Sequence, residues 1–361
     1  MEQYLIPKSV TDKILMVGNY YKGNAIGGMA SVVRVYKDYY ETFRYISSWR
    51  NVSKAEKLWY ALQAYVRVLF TFIFVPQIQV LHVHVAGGSS FYRKAKFIKL
   101  AKLFRKKVIF HMHSAIFKDY YAESNDKAYL LATMKSADRF IALSQSWKEW
   151  YMGIGIEPSK ISVINNPVRE PQRISYINNA PVKMLFLGDL GERKGVWDVL
   201  KVIKDNKREF EGKIKFKIGG NGRENDIKNF IIKNELQEIV SFEGWVSGDK
   251  KWKLLTWANL VILPSYNEGL PITLLEAMSY GCALISTPGG GIPEILSDKD
   301  NGLMVTPGNQ EEIAEAIKFY IDNPDDIMKA GNRSREKVKP FLPYTVFGQL
   351  KCLYEGLISD I

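Results

Sequence analysis

Cysteine is nearly missing from this 361-residue sequence: Cys282 and Cys352 stand far apart and in no metal-ligand spacing. That excludes a disulfide framework and a cysteine-based zinc centre, and it favours a reducing compartment. A secretory leader is missing as well. Met1–Val17 carries Glu2, Pro7 and Asp12 and only a short apolar run, so a cytoplasmic protein is expected. Histidine is confined to His82, His84, His111 and His113, at the exits of two neighbouring predicted strands. The four are expected to cluster at one sheet edge, which opens a zinc reading; against it, the spacing of two within each pair puts both rings on one strand face and no third acidic or cysteine ligand follows nearby, so no metal site is expected. Long apolar runs are scarce too. The best, Leu58–Val75, is broken by Gln63, Arg67 and Thr71 and ended by Pro76. Arg67 near its middle would cost roughly 2.5–3.5 kcal/mol in a bilayer, so a domain helix is expected rather than a span. Internal repeats, low-complexity tracts, helix-turn-helix signatures and aromatic-basic RNA signatures are all lacking, which leaves nucleic acid unsupported as a partner.

What is present is a 47% hydrophobic content, enough at this length for the cores of two α/β domains. The net charge of +12 is lopsided: residues 1–180 hold 26 Lys and Arg against 12 Asp and Glu, while the remainder holds 24 against 26. A basic first half points to an acidic partner for that half, and an anionic membrane surface is the expected one. Phe91–Lys107 is the candidate segment. At helical spacing Lys96, Lys99, Lys102, Lys106 and Lys107 fall on one arc, with Phe97, Ile98, Leu100, Ala101 and Phe104 mostly opposite.

Strand, loop and helix signals then recur. Lys13–Gly18 leads into a loop with Gly23, Gly27 and Gly28, which lets backbone approach a pyrophosphate. Val108–Ser114 is a strand with histidines at its exit, and Pro167, Pro171 and Pro181 bound a polar linker. The second half restarts at Met184–Gly188, followed by a loop holding Arg193 and Lys194; Phe216–Gly222 and Val240–Val246 are further strands. Leu260–Pro264 then runs into Asn267-Glu268-Gly269-Leu270-Pro271 and a helix, with Pro271 expected at the first helical position. The amides of about residues 269–273 are left without partners inside the helix and form an anion site, flanked by the carboxylates of Glu268 and Glu276. Amides for a diphosphate, one acid for ribose hydroxyls and another for sugar hydroxyls together fit a nucleotide-sugar. Asp298-Lys299-Asp300 superficially matches a metal-binding Asp-x-Asp, but it lies in a polar loop rather than at a strand end.

With Glu268, seven residues and Glu276, preceded by the Arg193-Lys194-Gly195 loop and followed by Gly289 to Gly291, the sequence resembles the retaining glycosyltransferases of family 4, of bacterial polysaccharide type. The likeness covers most of the chain and is strongest from residue 184 to 307. It implies a GT-B fold of the α/β class: two Rossmann-like domains facing across a cleft, with a C-terminal helix returning to the first. Residues 1–174 with 345–361 would form the acceptor domain and residues 175–344 the donor domain. The resemblance implies that Glu268 and His113 face the transferred sugar, that Arg193 and Lys194 stabilise the leaving diphosphate, and that Glu276 holds the ribose. It likewise implies donor contacts from Gly27, Gly28, Val246, Gly269, Leu270 and Thr273. The sequence departs from the family at Ser114, where glycine is usual, and at Asp189, where arginine is frequent, with Arg193 nearby as a substitute. The implied activity is metal-independent transfer of a sugar from a UDP- or GDP-sugar, with no further cofactor, to a lipid-linked or polysaccharide acceptor at the inner face of the plasma membrane. A nucleotide-sugar epimerase or hydrolase of the same fold, and an inactive glycan- or lipid-binding scaffold, are the alternatives.

Overall fold

Short runs of aliphatic and β-branched residues form the strands, and the central strands are buried almost throughout while the edge strands are only partly so. The computed structural model describes residues 4–23, 28–114, 116–171 and 181–359. The chain divides into two units, Met1–Pro167 with Phe341–Ile361, and Val168–Pro340. The crossing from the first to the second falls at Pro167, ahead of the boundary expected at 174, and the return falls at Phe341 rather than at 345.

The first unit holds β1 (Ile14–Gly18), β2 (Tyr45–Ser47), β3 (Val80–Val85), β4 (Lys107–Met112), β5 (Arg139–Ala142) and β6 (Ile161–Val163), all parallel, in the order β2-β1-β3-β4-β5-β6. The order reverses between β1 and β3. In sheets of this kind ligands bind beyond the carboxyl ends of the strands at that reversal. On one face Leu81, Val83, Val108 and Phe110 pack under the helices Lys54–Phe74 and Ser89–Leu103. The opposite face carries the histidines, covered by Tyr36 of the Gly28–Tyr39 helix and by Phe347 and Tyr354 of the last helix, Pro343–Ser359. The expected return of the C-terminal helix to the first unit is therefore present.

The second unit holds β7 (Val182–Asp189), β8 (Ile214–Asn221), β9 (Val240–Gly244), β10 (Leu260–Leu263), β11 (Ala283–Ser286) and β12 (Gly302–Met304), again parallel, in the order β12-β11-β10-β7-β8-β9. Its reversal lies between β7 and β10. Both units thus have the doubly wound, Rossmann-like layout that was expected.

Leu58–Val75 is a helix, Lys54–Phe74, started by a capping box in which the Ser53 hydroxyl accepts from the Glu56 amide. No helix among the described residues is long and apolar enough to cross a membrane. The basic arc is shorter than periodicity suggested. The Ser89–Leu103 helix stops before Lys106, because Arg105 turns the chain at φ 54° and Lys107 opens β4. Lys102 pairs with Asp138 at 2.5 Å and Lys106 donates to the Pro76 carbonyl at 3.4 Å, so only Lys96 and Lys99 of the five stay exposed on the helix.

Candidate active site

Two loops meet beyond the reversal between β7 and β10. The first follows β7, where the Gly191 amide donates to Asp189 Oδ1 at 2.9 Å and Arg193 and Lys194 follow in a single turn. Asp189, at the position where arginine was looked for, thus shapes the loop. Gly195 ends the turn at φ 73°, and a Cβ there would stand 2.2 Å from the Pro264 carbonyl oxygen. Only glycine lets this loop close onto the exit of β10. The second loop follows β10 and carries Ser265 to Leu270. It is held from the far side by the turn after β11, where the Gly291 amide donates to the Gly269 carbonyl at 2.6 Å. Gly290, at φ 61°, lies so close that a Cβ would fall 1.7 Å from the Glu268 carbonyl oxygen.

These closures bring Glu268, Arg193 and Lys194 together. Glu268 is 5% exposed. Its carboxylate forms an ion pair with Lys194 and accepts from the Ser265 hydroxyl at 2.8 Å. Arg193 stands 4.0 Å from the second carboxylate oxygen and donates to the Asn267 carbonyl at 2.7 Å. Ser265 was not anticipated, since a lone serine after a strand carries no signal of its own.

Glu276 lies eight residues further on, in the second turn of the Ile272–Ser279 helix, and is buried as well. It pairs with Lys251, from the helix Gly248–Trp257, and Lys251 Nζ sits 4.4 Å over the Trp252 ring, which stacks on Tyr280. Lys251 was also missed: it is one of two adjacent lysines on a polar helix, and nothing in the sequence ties it to an acid 25 positions away. Each buried acid therefore has its own lysine, which offsets the cost of burying the charge.

The Ile272–Ser279 helix begins with Pro271 at the N-cap rather than as the first helical residue, and no side chain caps it. The Leu274 and Leu275 amides turn back onto the Pro271 carbonyl at 3.1 and 3.3 Å, which leaves those of Ile272 and Thr273, shortly after Glu268 in the chain, as the open donors. Leu270 is buried, and the Thr273 hydroxyl donates to the Leu187 carbonyl at 3.2 Å, which ties the helix to β7. Val246 is 8% exposed and packs where a Cβ on Gly219 would stand 2.6 Å from its Cγ2. Asp298 and Asp300 are engaged elsewhere: Asp298 accepts from the Met304 amide, and Asp300 pairs with Arg333 and Lys337. Hydrogen bonds from those two cations hold the Asp300 carboxyl below its ordinary range.

In the first unit Gly28 opens its helix, while Gly27 lies outside the described residues. The four histidines share one sheet face because His84 and His111 are direct neighbours across β3 and β4. His84 Nδ1 lies 2.9 Å from His113 Nε2, and His82 bridges Tyr354 at 2.6 Å and His111 at 3.1 Å. Burial keeps the rings neutral, pulling His82 and His113 down to about 3. Nitrogens of His82, His84 and His111 lie within 4.8 Å of one another, a donor set that could close on a metal ion. The sequence argument placed the histidines together at one sheet edge and counted against a metal for want of a third acidic or cysteine ligand; the parallel pairing of β3 and β4 supplies a third ring instead.

A family model described as glycosyl transferases group 1 matches residues 168–337, and one described as Glycosyltransferase Family 4 matches residues 31–170. Together the two matches span residues 31–337. The chain is 26% identical over 273 residues to an uncharacterized glycosyltransferase of Methanocaldococcus jannaschii, covering 72% of this chain and 66% of that one. It is 24% identical over 299 residues to the amylovoran biosynthesis glycosyltransferase AmsK of Erwinia amylovora, covering 79% and 71%. These alignments take in about two thirds of each relative's length. Among solved structures, the Anabaena protein HepE in complex with UDP and glucose matches with a TM-score of 0.72 at 15% identity, over 96% of this chain and 99% of that one. The likeness gives the fold as GT-B. The group 1 domain contains Glu268, Glu276, Lys194 and Lys251, and the family 4 domain contains His113.

Proposed function

We propose that this chain transfers a sugar from a nucleoside diphosphate, with retention of anomeric configuration, to a hydroxyl of a lipid-linked or polysaccharide acceptor in cell-envelope glycan synthesis. The observation that carries the proposal is the pair of buried, lysine-matched carboxylates, Glu268 and Glu276, flanking an uncapped helix start at the reversal between β7 and β10. The kinship with a protein named for amylovoran biosynthesis supports the acceptor class, and the UDP held by the Anabaena protein of like fold supports the donor class.

In this scheme the diphosphate lies against the amides after Pro271 and the cations Arg193 and Lys194, Glu276 binds ribose hydroxyls, and Glu268 binds hydroxyls of the sugar. The bond between the anomeric carbon and the diphosphate oxygen breaks, and negative charge gathers on the leaving group. Lys194 and Arg193 stabilise that charge most when the bond is longest. No side chain of the described site offers itself as a nucleophile. The departing phosphate oxygen takes the proton of the acceptor hydroxyl, which attacks the same face and so retains the configuration. These cations make a bound metal ion unnecessary for the step, and Asp298 and Asp300 are already committed to other partners. His113, at the exit of β4, is assigned to the transferred sugar.

A peripheral position on the inner face of the plasma membrane belongs to the same proposal. The face of the Lys54–Phe74 helix carrying Leu58, Trp59, Leu62, Phe70 and Phe74 is exposed, with Lys54 and Arg67 beside it in the basic half of the chain. This apolar stripe, more than the two exposed lysines of the neighbouring helix, is the surface suited to headgroups and the outermost acyl chains. The test of the whole is calorimetry with UDP and GDP and their sugars, followed by NMR of the anomeric coupling in the product. A chain that binds no nucleotide, or a product of inverted configuration, would reject the proposal.

A further inference from the structure

The reversal of strand order in the first unit lies between β1 and β3, and beyond β3 the chain runs through Gly87 and Gly88 into the Ser89–Leu103 helix. Gly88 adopts φ 61°, with no atom within 4 Å of where a Cβ would stand, and no side chain caps the helix it precedes. The Phe91 amide turns back onto the Gly88 carbonyl at 2.9 Å, which leaves the Ser89 and Ser90 amides as the open backbone donors of the first turn. Ser90, the second helical residue, is 8% exposed, and its hydroxyl has no partner. Arg93 Nε is buried and likewise unpartnered. Lys94 is fully buried and donates to the Ser48 hydroxyl, which in turn donates to the Gly18 carbonyl at the end of β1.

What sets this cluster apart is the missing opposite charge. The buried Glu268 and Glu276 each have a lysine, whereas among the described residues no carboxylate pairs with Arg93 or Lys94. Burial, with Arg93 as a like-charged neighbour, pushes the Lys94 ammonium well below its ordinary range. A tie between the helix and Ser48 does not require a charge, and an apolar side chain would fill the volume without that cost. Open amides, a free hydroxyl, a guanidinium and an ammonium around one turn are the donors that a tetrahedral oxyanion takes.

We propose that this turn binds a phosphoryl group carried by the acceptor, an inference that rests on the acceptor being lipid-linked. The donor's own diphosphate has Arg193, Lys194 and an uncapped helix start in the second unit, so the cations of the first unit are left for the other substrate. The position suits it. A Cβ on Gly87 would stand 3.2 Å from the Ser114 hydroxyl, next in the chain to His113, so a phosphate at Gly88 adjoins the residue assigned to the transferred sugar.

The test is calorimetry on the full chain saturated with UDP, titrated with inorganic pyrophosphate, farnesyl diphosphate and farnesol. Pyrophosphate and farnesyl diphosphate should bind and farnesol should not. Ser90→Ala and Arg93→Gln should each weaken both phosphates about tenfold, as for a lost charge-assisted bond, and leave UDP affinity unchanged. Lys94→Gln should abolish phosphate binding, with its melting temperature measured alongside; the two milder variants decide the matter if it fails to fold. Undiminished phosphate binding in Ser90→Ala and Arg93→Gln overturns the proposal, as does farnesol binding as tightly as its diphosphate. A parallel loss of UDP affinity would move the donor's diphosphate to this turn and also overturn it. A wild-type chain that ignores UDP sinks the donor reading separately, and pyrophosphate titrated without UDP then still decides the site.

Discussion

Replacing Lys251 by alanine isolates the pairing that holds Glu276 in place. The substitution leaves a carboxylate that is 7% exposed without its cation and removes the ammonium from the Trp252 face. Breaking a buried ion pair from one side costs roughly 3–5 kcal/mol. The Lys251 side chain keeps 15% exposure, so water reaches the pair and the lower end, about 3 kcal/mol, applies. Most of that is the penalty of an unmatched charge rather than a lost attraction. Changing the acid as well should therefore recover much of it: Lys251→Ala with Glu276→Gln should be more stable than Lys251→Ala alone. Guanidinium unfolding followed by tryptophan fluorescence is the assay, because Trp252 lies against the substituted residue. A single variant that loses under 1 kcal/mol, or a pair of substitutions whose costs simply add, would show that Glu276 does not depend on Lys251 and that its burial has another explanation.

Glu276→Ala should weaken UDP or GDP by about ten- to a hundredfold, the worth of charge-assisted bonds to ribose, while Glu268→Ala should spare the bare nucleotide and impair the nucleotide-sugar; equal losses for both ligands would contradict the division of roles. Lys194→Ala should lower kcat by roughly 10²–10³, more than it lowers donor affinity, and turnover should survive EDTA in the parent; rescue by magnesium or manganese after chelation would count against the built-in cations. His82, held near 3 in the folded chain against about 6.5 unfolded, keeps its full stability above pH 6.5 and loses it as the pH falls toward 3, because the unfolded state takes up the proton first. Between pH 7.5 and 5.5 that loss is roughly 1.4 kcal/mol, and His82→Leu should flatten the denaturation profile by that amount. Leu58→Ser with Phe70→Ser should reduce pelleting with anionic liposomes, and the same loss with neutral ones would remove charge from the account.

Most strands of both sheets were legible because parallel strands buried on two faces leave runs such as Leu260–Leu263 and Val80–Val85, whereas the short Tyr45–Ser47, Ala283–Ser286 and Gly302–Met304 strands were not read. The acids and cations of the second unit were legible because loops at strand exits are short, so Glu268 and Lys194 stay near the strands that place them. Partners contributed by distant helices were not. Lys251 reaches Glu276 through tertiary packing, and Lys94, which helical spacing leaves off the basic arc, is buried against Ser48, a partner that spacing does not name. Periodicity also carried the arc past the helix end, since nothing marked Arg105 as the turn. The histidine cluster depended on register, a relation between strands that one strand's spacing does not contain.

The last helix, Pro343–Ser359, belongs to the first unit, where Tyr354 hydrogen-bonds His82 and Tyr40 and Phe347 rests on Tyr36. During synthesis the first 167 residues leave the ribosome long before that helix exists, so their histidine face has only the Tyr36 side of its cover while the whole second unit is made. The nascent first unit is then a half-finished body with an apolar slot, and the second unit is free to complete itself first. A chain stopped short of Tyr354 would carry both sheets intact and still expose that slot, making late truncation more damaging to solubility than its length suggests.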